Sequence, residues 1–232
     1  LGKKRYDRAY YEQRQKRTEY SAAAILDIVL RQAAPVASAV DVGCGVGTWL
    51  RELQSRGIED IQGIDGPWVE SNLLCIPQDK FRRANLGAGE IPQVDRRFDL
   101  AISLEVAEHL GPELAERFVA LLTGLSDQVL FSAAVPGQGG PRHLNEQWQS
   151  YWAGLFDRQR YALFDMVRPR IWHDERMPYW YRQNTFLYVR RGTDALAHYD
   201  QLGGLTIHRD SWPTGPRREL RSAALDFRRP PI

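Results

Sequence analysis

Three glycines at alternate positions constrain the fold of this chain more than any other feature of its sequence. In "ASAVDVGCGVGTWL", Gly43, Gly45 and Gly47 directly follow a run that alternates like a β-strand, and a helical pattern begins after them. Glycine adopts left-handed backbone readily and lets another molecule approach the main chain, although it weakens helices and strands. We therefore predict a strand-to-helix turn that brings a ligand against the backbone. The alternative is a tight turn that binds nothing.

The sequence around this turn continues the alternation of strand and helix. Such a pattern, from about residue 37 to 136, predicts a parallel sheet with helices on both faces. The expected helices are 47–57 and 111–125, and the expected strands are 37–43, 60–65, 81–86, 97–105 and 127–136.

Helical and strand patterns also flank this region. A helix is predicted at 18–32, with Ala22, Ile25 and Val29 on its apolar face and Thr18 as its N-cap. Beyond the alternating region, the pattern predicts a helix at 145–156 capped by Asn145, and strands near 166–172 and at 184–190.

Composition and these patterns suggest one domain with appendages. The expected parts are an N-terminal helical cap (1–34), an α/β domain (35–191) and a loosely packed C-terminal basic tail (192–232). The net charge of +2 gives no overall field for nucleic acid. Basic residues cluster near the two ends, either as solvated arms or as a rim that attracts an acidic substrate. These clusters are 3–8, 14–17, 217–220 and 228–229.

The number of cysteines and the lengths of the apolar runs favour one cellular compartment for this protein. The two cysteines, Cys44 and Cys75, form neither a disulfide framework nor a structural zinc module, which favours a reducing, cytoplasmic environment. No apolar run reaches the roughly 20 residues of a membrane span, and we expect no signal peptide. The oligomeric state stays open, a homodimer included.

The residues around the glycines narrow the class of ligand. The dinucleotide fingerprint G-x-G-x-x-G requires a glycine at position 48, where this chain has Thr48. A P-loop for a nucleoside triphosphate requires a G-K-[ST] sequence, and none follows the turn. Asp41 lies just before the glycines, where its carboxylate would repel a pyrophosphate and attract a cationic ligand.

"DVGCGVGTWL" resembles motif I of the class I S-adenosylmethionine-dependent methyltransferases, and the resemblance spans about residues 35–190. It implies a Rossmann-like fold with a mostly parallel seven-stranded sheet, and S-adenosyl-L-methionine as cofactor. In this family Asp65, which ends the second predicted strand in "GIDG", corresponds to the carboxylate that binds both ribose hydroxyls. Asn85 replaces an Asp at the adenine edge, and Leu86 packs on the ring. The implied cofactor residues are Asp41, Gly43, Cys44, Gly45, Thr48, Trp49, Asp65, Gly66, Asn85, Leu86 and Glu105.

Two segments after expected strands carry candidate chemistry. In "LEVAEHL", Glu105, Glu108 and His109 have the i, i+3, i+4 spacing that places side chains on one face of a helical turn. His143 follows the next strand, in "GQGGPRHLNEQW". Two carboxylates and imidazoles at one sheet edge predict a divalent cation such as Mg²⁺, held by Glu105, Glu108, His109 and His143. This set resembles the metal-dependent O-methyltransferases of small-RNA 3′ ends and those of the ubiquinone pathway.

Two alternatives to the metal remain open. His143, with His109 beside it, would serve as a general base without a metal. The "E-H-L" sequence is also common among class I methyltransferases in which neither role applies.

The sequence leaves the methyl acceptor least determined. Tryptophan and tyrosine are concentrated after residue 148, either as core residues or as an aromatic wall for a flat ring or sugar. The first hypothesis is an O-methyltransferase for a hydroxyl of a sugar, glycan or secondary metabolite. The second is an RNA 2′-O-methyltransferase, disfavoured by the low net charge, and the third is a non-catalytic partner protein that binds S-adenosylmethionine.

Overall fold

A computed structural model describes the backbone of residues 8–201 and 206–207 and the side chains of residues 18–199. The predicted basic clusters at 3–8 (except for the backbone of its last residue), 217–220 and 228–229 lie outside the described residues, as do the side chains of 14–17. No helix in the described part of the chain has the length and hydropathy of a membrane span.

One twisted sheet forms the centre of the molecule, and its strands have the order β3-β2-β1-β4-β5-β7-β6-β8. The first five strands pair in parallel, whereas β7 is antiparallel to β5 and β6. Seven main strands in this arrangement confirm the predicted sheet, and the two-residue β8 extends its edge. The strands are β1 Ser38–Val42, β2 Asp60–Asp65, β3 Phe81–Arg83, β4 Leu100–Leu104, β5 Gln128–Ser132, β6 Tyr161–Phe164, β7 Phe186–Arg190 and β8 Thr206–Ile207.

Helices cover both faces of this sheet and bury two apolar clusters. Successive side chains of a strand point to opposite faces, so Ala39 joins the cluster under α1, α2 and α5–α7, while Val40 joins the cluster under α3 and α4. The helices are α1 Arg8–Gln32, α2 Thr48–Gln54, α3 Ala115–Leu125, α4 Gln149–Arg158, α5 Arg168–Ile171, α6 Tyr179–Asn184 and α7 Asp194–Gln201.

The first helix is longer than the sequence pattern predicts. Ala22, Ile25 and Val29 are fully buried, which confirms the predicted apolar face. Thr18 is not the N-cap, because α1 begins at Arg8 and continues through it. The capping pattern was a weak signal here since threonine is also tolerated within a helix.

Two other local predictions were wrong. The strand expected near 166–172 is instead the short helix α5, where Pro169 lies in the first turn and cannot donate to a strand ladder. The strand lies earlier, in the fully buried run Tyr161–Phe164. Asn145 does not cap α4, which begins four residues later. Its Oδ1 instead accepts a hydrogen bond from Gln147 Nε2 at 2.9 Å.

The start of the C-terminal segment is more ordered than the loosely packed tail that we predicted. Helix α7 buries Tyr199, whose hydroxyl donates to Gln128 Oε1 at 2.7 Å. Its aromatic ring also packs against Phe164 of β6, with ring centroids 5.1 Å apart. Residues 194–201 therefore complete one face of the sheet.

Candidate functional site

The candidate site lies where β1, β2, β4 and β5 end, because parallel neighbours bring their carboxyl ends to one edge of the sheet. The glycine turn begins there. Gly43, Gly45 and Gly47 have φ values of +86°, +55° and +87°, in the left-handed region that other residues rarely adopt. The backbone N–H of Gly43 donates to Ile64 O at 2.8 Å and so fixes the turn against β2.

The three glycines are required for different reasons. A Cβ on Gly43 would clash with Val106, and one on Gly47 would press on Ile76 at 3.0 Å. A Cβ on Gly45 would meet no described atom within 4 Å. Open space beside Gly45 is what a ligand would need in order to lie against the main chain.

Asp65 is connected directly to this turn. Its Oδ2 accepts from the N–H of Gly45 at 2.7 Å, and its Oδ1 accepts from the N–H of Gly66 at 2.6 Å. Burial raises the pKa of this carboxyl, while the two amide bonds and a bond from Trp68 act to lower it. Asp65 thus lies beside the open space at Gly45, and its role at a ribose stays a prediction.

Trp68 is a candidate residue that sequence reasoning missed. Its indole lies over Gly66, where a Cβ would clash with it, and the side chain is 47% exposed. A large aromatic three residues after a strand-end carboxylate was the available signal. The exposed face of its ring offers a surface on which a flat ligand can stack.

Asp41 lies buried below the turn. It is 2% exposed, and its Oδ2 accepts no hydrogen bond from any residue that the structure describes. Burial, followed by the negative charge of Asp65, raises the pKa of the Asp41 carboxyl well above its ordinary value. A buried carboxylate without a partner is costly unless a cation or donor completes it.

The remaining residues of the predicted cofactor set lie around the turn. Thr48 and Trp49 are buried at the start of α2, and Trp49 packs edge-on against Tyr181 at 5.6 Å. Cys44 is buried, and its sulfur fills the space left by Gly63 of β2. Burial raises the pKa of the Cys44 thiol well above its ordinary value, which suits an unreactive packing group.

Asn85 has a structural role that the sequence did not predict. Its Oδ1 accepts from the N–H of Ala88 at 3.2 Å and caps a 3₁₀ turn at Leu86–Ala88. The Nδ2 group remains the part of this side chain suited to an adenine edge. Leu86 is buried in the apolar cluster beside it.

Three of the four predicted metal ligands converge. Glu108, His109 and His143 each offer a donor atom, and these atoms all lie within 4.8 Å of one another. The two imidazole rings are 5.0 Å apart at 81°. Glu108 O accepts from the N–H groups of Leu144 and Asn145 at 2.7 and 3.0 Å, so the loops after β4 and β5 are joined at this cluster.

Glu105 is not part of this cluster. The prediction that it shares one helical face with Glu108 and His109 was wrong. The residue has a φ of +57°, and only the 3₁₀ turn Ala107–His109 follows it. Its Oε2 accepts from Gln138 Nε2 at 2.8 Å, whereas its Oε1 is buried without a hydrogen bond from the described residues. Burial raises the pKa of Glu105, against the effect of its hydrogen bonds. Glu105 therefore faces a separate polar group.

This polar group is a chain of amides. Asn184 Nδ2 donates to Gln138 Oε1 at 2.8 Å, and Gln149 Nε2 donates to Asn184 Oδ1 at 3.3 Å. The hydroxyl of Tyr179, a residue 46% exposed, donates to Gln138 O at 3.2 Å. Of the aromatic residues after 148, Tyr179 thus lies at the site, whereas Trp152 is a core residue.

Glu146 is the second residue that sequence reasoning missed. Its Oε1 lies 2.7 Å from His143 Nδ1, and its two oxygens accept from the N–H groups of Gly137 and Gly139 at 2.8 and 2.9 Å. Burial acts to raise the pKa of Glu146, but these bonds outweigh it and bring the pKa below its ordinary value. The i, i+3 spacing from His143 was the available sequence signal.

Comparisons with known proteins agree with this fold. A family model described as a methyltransferase domain matches residues 11–169. Among curated proteins, none matches the chain.

Three solved structures have the same fold at low sequence identity. An O-methyltransferase family protein from Burkholderia thailandensis has a TM-score of 0.54 at 14% identity, over 80% of this chain and 58% of that chain. Human N-acetylserotonin methyltransferase, solved with S-adenosylmethionine, has a TM-score of 0.52 at 12% identity, over 80% and 57%. Streptomyces venezuelae DesVI has a TM-score of 0.55 at 14% identity, over 78% and 95%. The chain thus spans less than two thirds of the first two proteins.

The family match covers more than half of the sequence, and it coincides with the sheet order and the glycine turn. The chain therefore belongs to the methyltransferase-domain family and has the fold of the class I methyltransferases.

Proposed function

We propose that this protein transfers a methyl group from S-adenosylmethionine to a hydroxyl of a sugar, glycan or secondary metabolite. The observation that carries the hydroxyl assignment is the cluster of Glu108, His109 and His143 at the end of β4 and β5. A hydroxyl holds its proton far above neutral pH, so its methylation needs a base or a cation at the reacting oxygen. This cluster offers imidazole bases and a set of ligands that could hold a cation.

The residues around Gly45 fit the cofactor. Asp41 has a buried carboxylate oxygen without a donor, which suits the cationic methionine end of the molecule. Asp65 has lone pairs beyond those used by the two amides, which suit a ribose diol. The cofactor, when bound, supplies a methyl group that already carries its leaving group, so the protein has to orient the acceptor and take its proton.

The cluster of Glu108, His109 and His143 has side chains suited to bind a divalent cation. Two imidazoles and one carboxylate suit Mn²⁺ or Zn²⁺ better than Mg²⁺, which prefers oxygen ligands. Glu108, His109 and His143 would hold such an ion, with Glu105 outside the set. The ion, when bound, lowers the pKa of a hydroxyl that it contacts. Without an ion, the same position of His143 suits a general base.

Methyl transfer with isotopically labelled S-adenosylmethionine tests the proposal. Purified protein is offered a panel of hydroxylated sugars, nucleotide sugars and phenols, and the labelled product is identified by mass spectrometry. Label on an oxygen of one acceptor class supports the proposal, and label on nitrogen or sulfur contradicts it.

An RNA 2′-O-methyltransferase is the second candidate, favoured by the cluster of Glu108 with two histidines. It predicts retention on RNA with a steep salt dependence, and label in the ribose. A non-catalytic protein that binds S-adenosylmethionine would bind the cofactor without turnover on any acceptor.

Replacing Asp41 with asparagine should stabilise the unliganded protein and weaken cofactor binding. The pKa of this carboxyl is raised in the folded state, so the free energy of unfolding falls as the pH rises above the ordinary carboxyl pKa. The amide of the Asp41→Asn variant does not titrate, so this fall should disappear. Loss of the carboxylate also removes a charge-assisted contact, so the affinity for S-adenosylmethionine should fall by about 10–100-fold.

Urea unfolding at pH 5 and pH 8, together with calorimetric titration of S-adenosylmethionine, measures both effects. Asp60→Asn is the matched control, because Asp60 lies at the start of β2 with a side chain 46% exposed. Unchanged cofactor affinity in Asp41→Asn would contradict the assignment of Asp41 to the cofactor.

Metal binding can be measured in the absence of a methyl acceptor. We expect one equivalent of Co²⁺ to bind with a visible absorption spectrum, and His109→Ala to weaken this binding by about tenfold or more. His173→Ala, which removes an exposed histidine outside the cluster, should leave it unchanged. Failure of Co²⁺, Mn²⁺ and Zn²⁺ to bind removes the metal and leaves His143 as the base.

A further inference from the structure

Both histidines of the cluster make hydrogen bonds on their outer side. His143 Nδ1 lies 2.7 Å from Glu146 Oε1, and His109 Nδ1 lies 3.3 Å from the main-chain oxygen of Arg142. A carboxylate and a carbonyl oxygen can only accept hydrogen bonds. In a neutral imidazole that makes such a bond, Nδ1 therefore carries the proton and Nε2 keeps its lone pair.

The carboxylate of Glu146 binds the backbone of the 137–140 loop as well as the imidazole of His143. Its Oε1 also accepts from Gly139 N–H, and its Oε2 accepts from Gly137 N–H. Both glycines have positive φ, at +85° for Gly137 and +71° for Gly139. One side chain, only 20% exposed, therefore fixes the path of the 137–140 loop and the orientation of His143 together.

The 137–140 loop also lies close to Nε2 of His143. A Cβ on Gly140 would clash with His143 Nε2. Gly140 has no left-handed φ, so alanine is compatible with its backbone. The absence of a side chain at position 140 thus lets the imidazole ring of His143 pack directly against the backbone of Gly140.

We propose that Glu146 is a positioning residue, which holds His143 as the Nδ1–H tautomer and so directs the Nε2 lone pair to the reacting hydroxyl or to a cation. The role in the reaction rests on the proposed function, whereas the tautomer does not. Both routes left open above, the metal and the free base, need a lone pair on Nε2. The assignment of Glu146 therefore holds for either route.

The tautomer can be measured directly in the whole protein. Two-bond ¹H–¹⁵N correlation spectra of the ¹⁵N-histidine-labelled protein, at a pH where the imidazoles are neutral, distinguish a protonated Nδ1 from a protonated Nε2. We expect Nδ1–H for both His143 and His109 in the unmodified protein. A protonated Nε2 on His143 would overturn the proposal, whatever the variants do.

Two substitutions test the hydrogen bond between Glu146 and His143. In Glu146→Ala, His143 loses its acceptor, and the Nδ1–H form should give way to a mixture while His109 stays unchanged as an internal reference. In Glu146→Gln, the remaining amide oxygen still accepts from Nδ1–H, so the tautomer should be kept. An Nδ1–H form of His143 that persists in Glu146→Ala would overturn the role of Glu146.

Activity gives a separate readout once an acceptor is known. Glu146→Ala should lower kcat by about 10–100-fold, as loss of an outer hydrogen-bond partner of histidine typically does, with Glu146→Gln closer to the unmodified protein. Gly140→Ala should also lower kcat, because the new Cβ would displace the imidazole ring of His143. Absence of methyl transfer by the unmodified protein counts against the proposed function only, because the spectra still decide the tautomer.

Discussion

Replacing His143 with alanine should lower kcat for methyl transfer by about 10²–10⁴-fold, the usual contribution of a group that takes a proton from the reacting atom. His143 is the member of the Glu108–His109–His143 cluster that Glu146 fixes from outside, so its Nε2 has a defined position. A similar loss is expected if the residue holds a cation, since only two of three ligands would remain. Affinity for S-adenosylmethionine should change by no more than about twofold, because the glycine turn is untouched.

Single-turnover kinetics with the identified acceptor would measure the chemical step separately from binding. His173→Ala is the control, since His173 is an exposed histidine elsewhere on the surface and its variant should keep full activity. A His143→Ala variant as active as the unmodified protein would exclude both the base and the metal role for this residue.

Replacing Gly45 with alanine should weaken S-adenosylmethionine binding by about 100-fold or more, while the protein still folds. The new Cβ would point into space that no described atom fills, so packing within the protein allows it. The cost of a left-handed φ for alanine is about 1–2 kcal/mol, which a stable domain tolerates. The methyl group would occupy the space that we assign to the cofactor.

Gly57→Ala is the matched control for this strain. Gly57 has a φ of +86°, and a Cβ on it would likewise meet no described atom within 4 Å. It follows α2, away from the turn, so the variant should lose similar stability but bind the cofactor normally. Calorimetric titration of both variants, with thermal unfolding alongside, separates the two effects. Equal cofactor affinity in Gly45→Ala and the unmodified protein would show that the ligand does not lie against Gly45.

Local sequence patterns were sufficient to predict much of the fold. The limits of β2 are those predicted, because a short buried strand between Gly57 and Gly66 has few alternatives. The strand-to-helix turn at Gly43, Gly45 and Gly47 was also predicted, and the structure gives all three a left-handed φ, which glycine adopts at little cost. The parallel pairing of β1, β4 and β5 was predicted from strand–helix alternation.

Side-chain partners across loops could not be predicted in this way. Glu105 and Glu108 are three residues apart, but the left-handed φ of Glu105 turns its carboxylate to Gln138 and leaves only Glu108 with the histidines. Glu146 gained its role because the 137–140 loop folds back and brings two amides to its carboxylate.

The sequence by itself thus determined the sheet, the glycine turn and the edge of the sheet at which the candidate site lies, because these depend on backbone preferences and on the period of buried residues. Only the tertiary structure decided which carboxylates face the histidines, which one holds His143 and where Trp68 lies. These contacts join loops that are distant in the chain, and their geometry follows from packing and hydrogen bonding between whole elements, which no local pattern encodes.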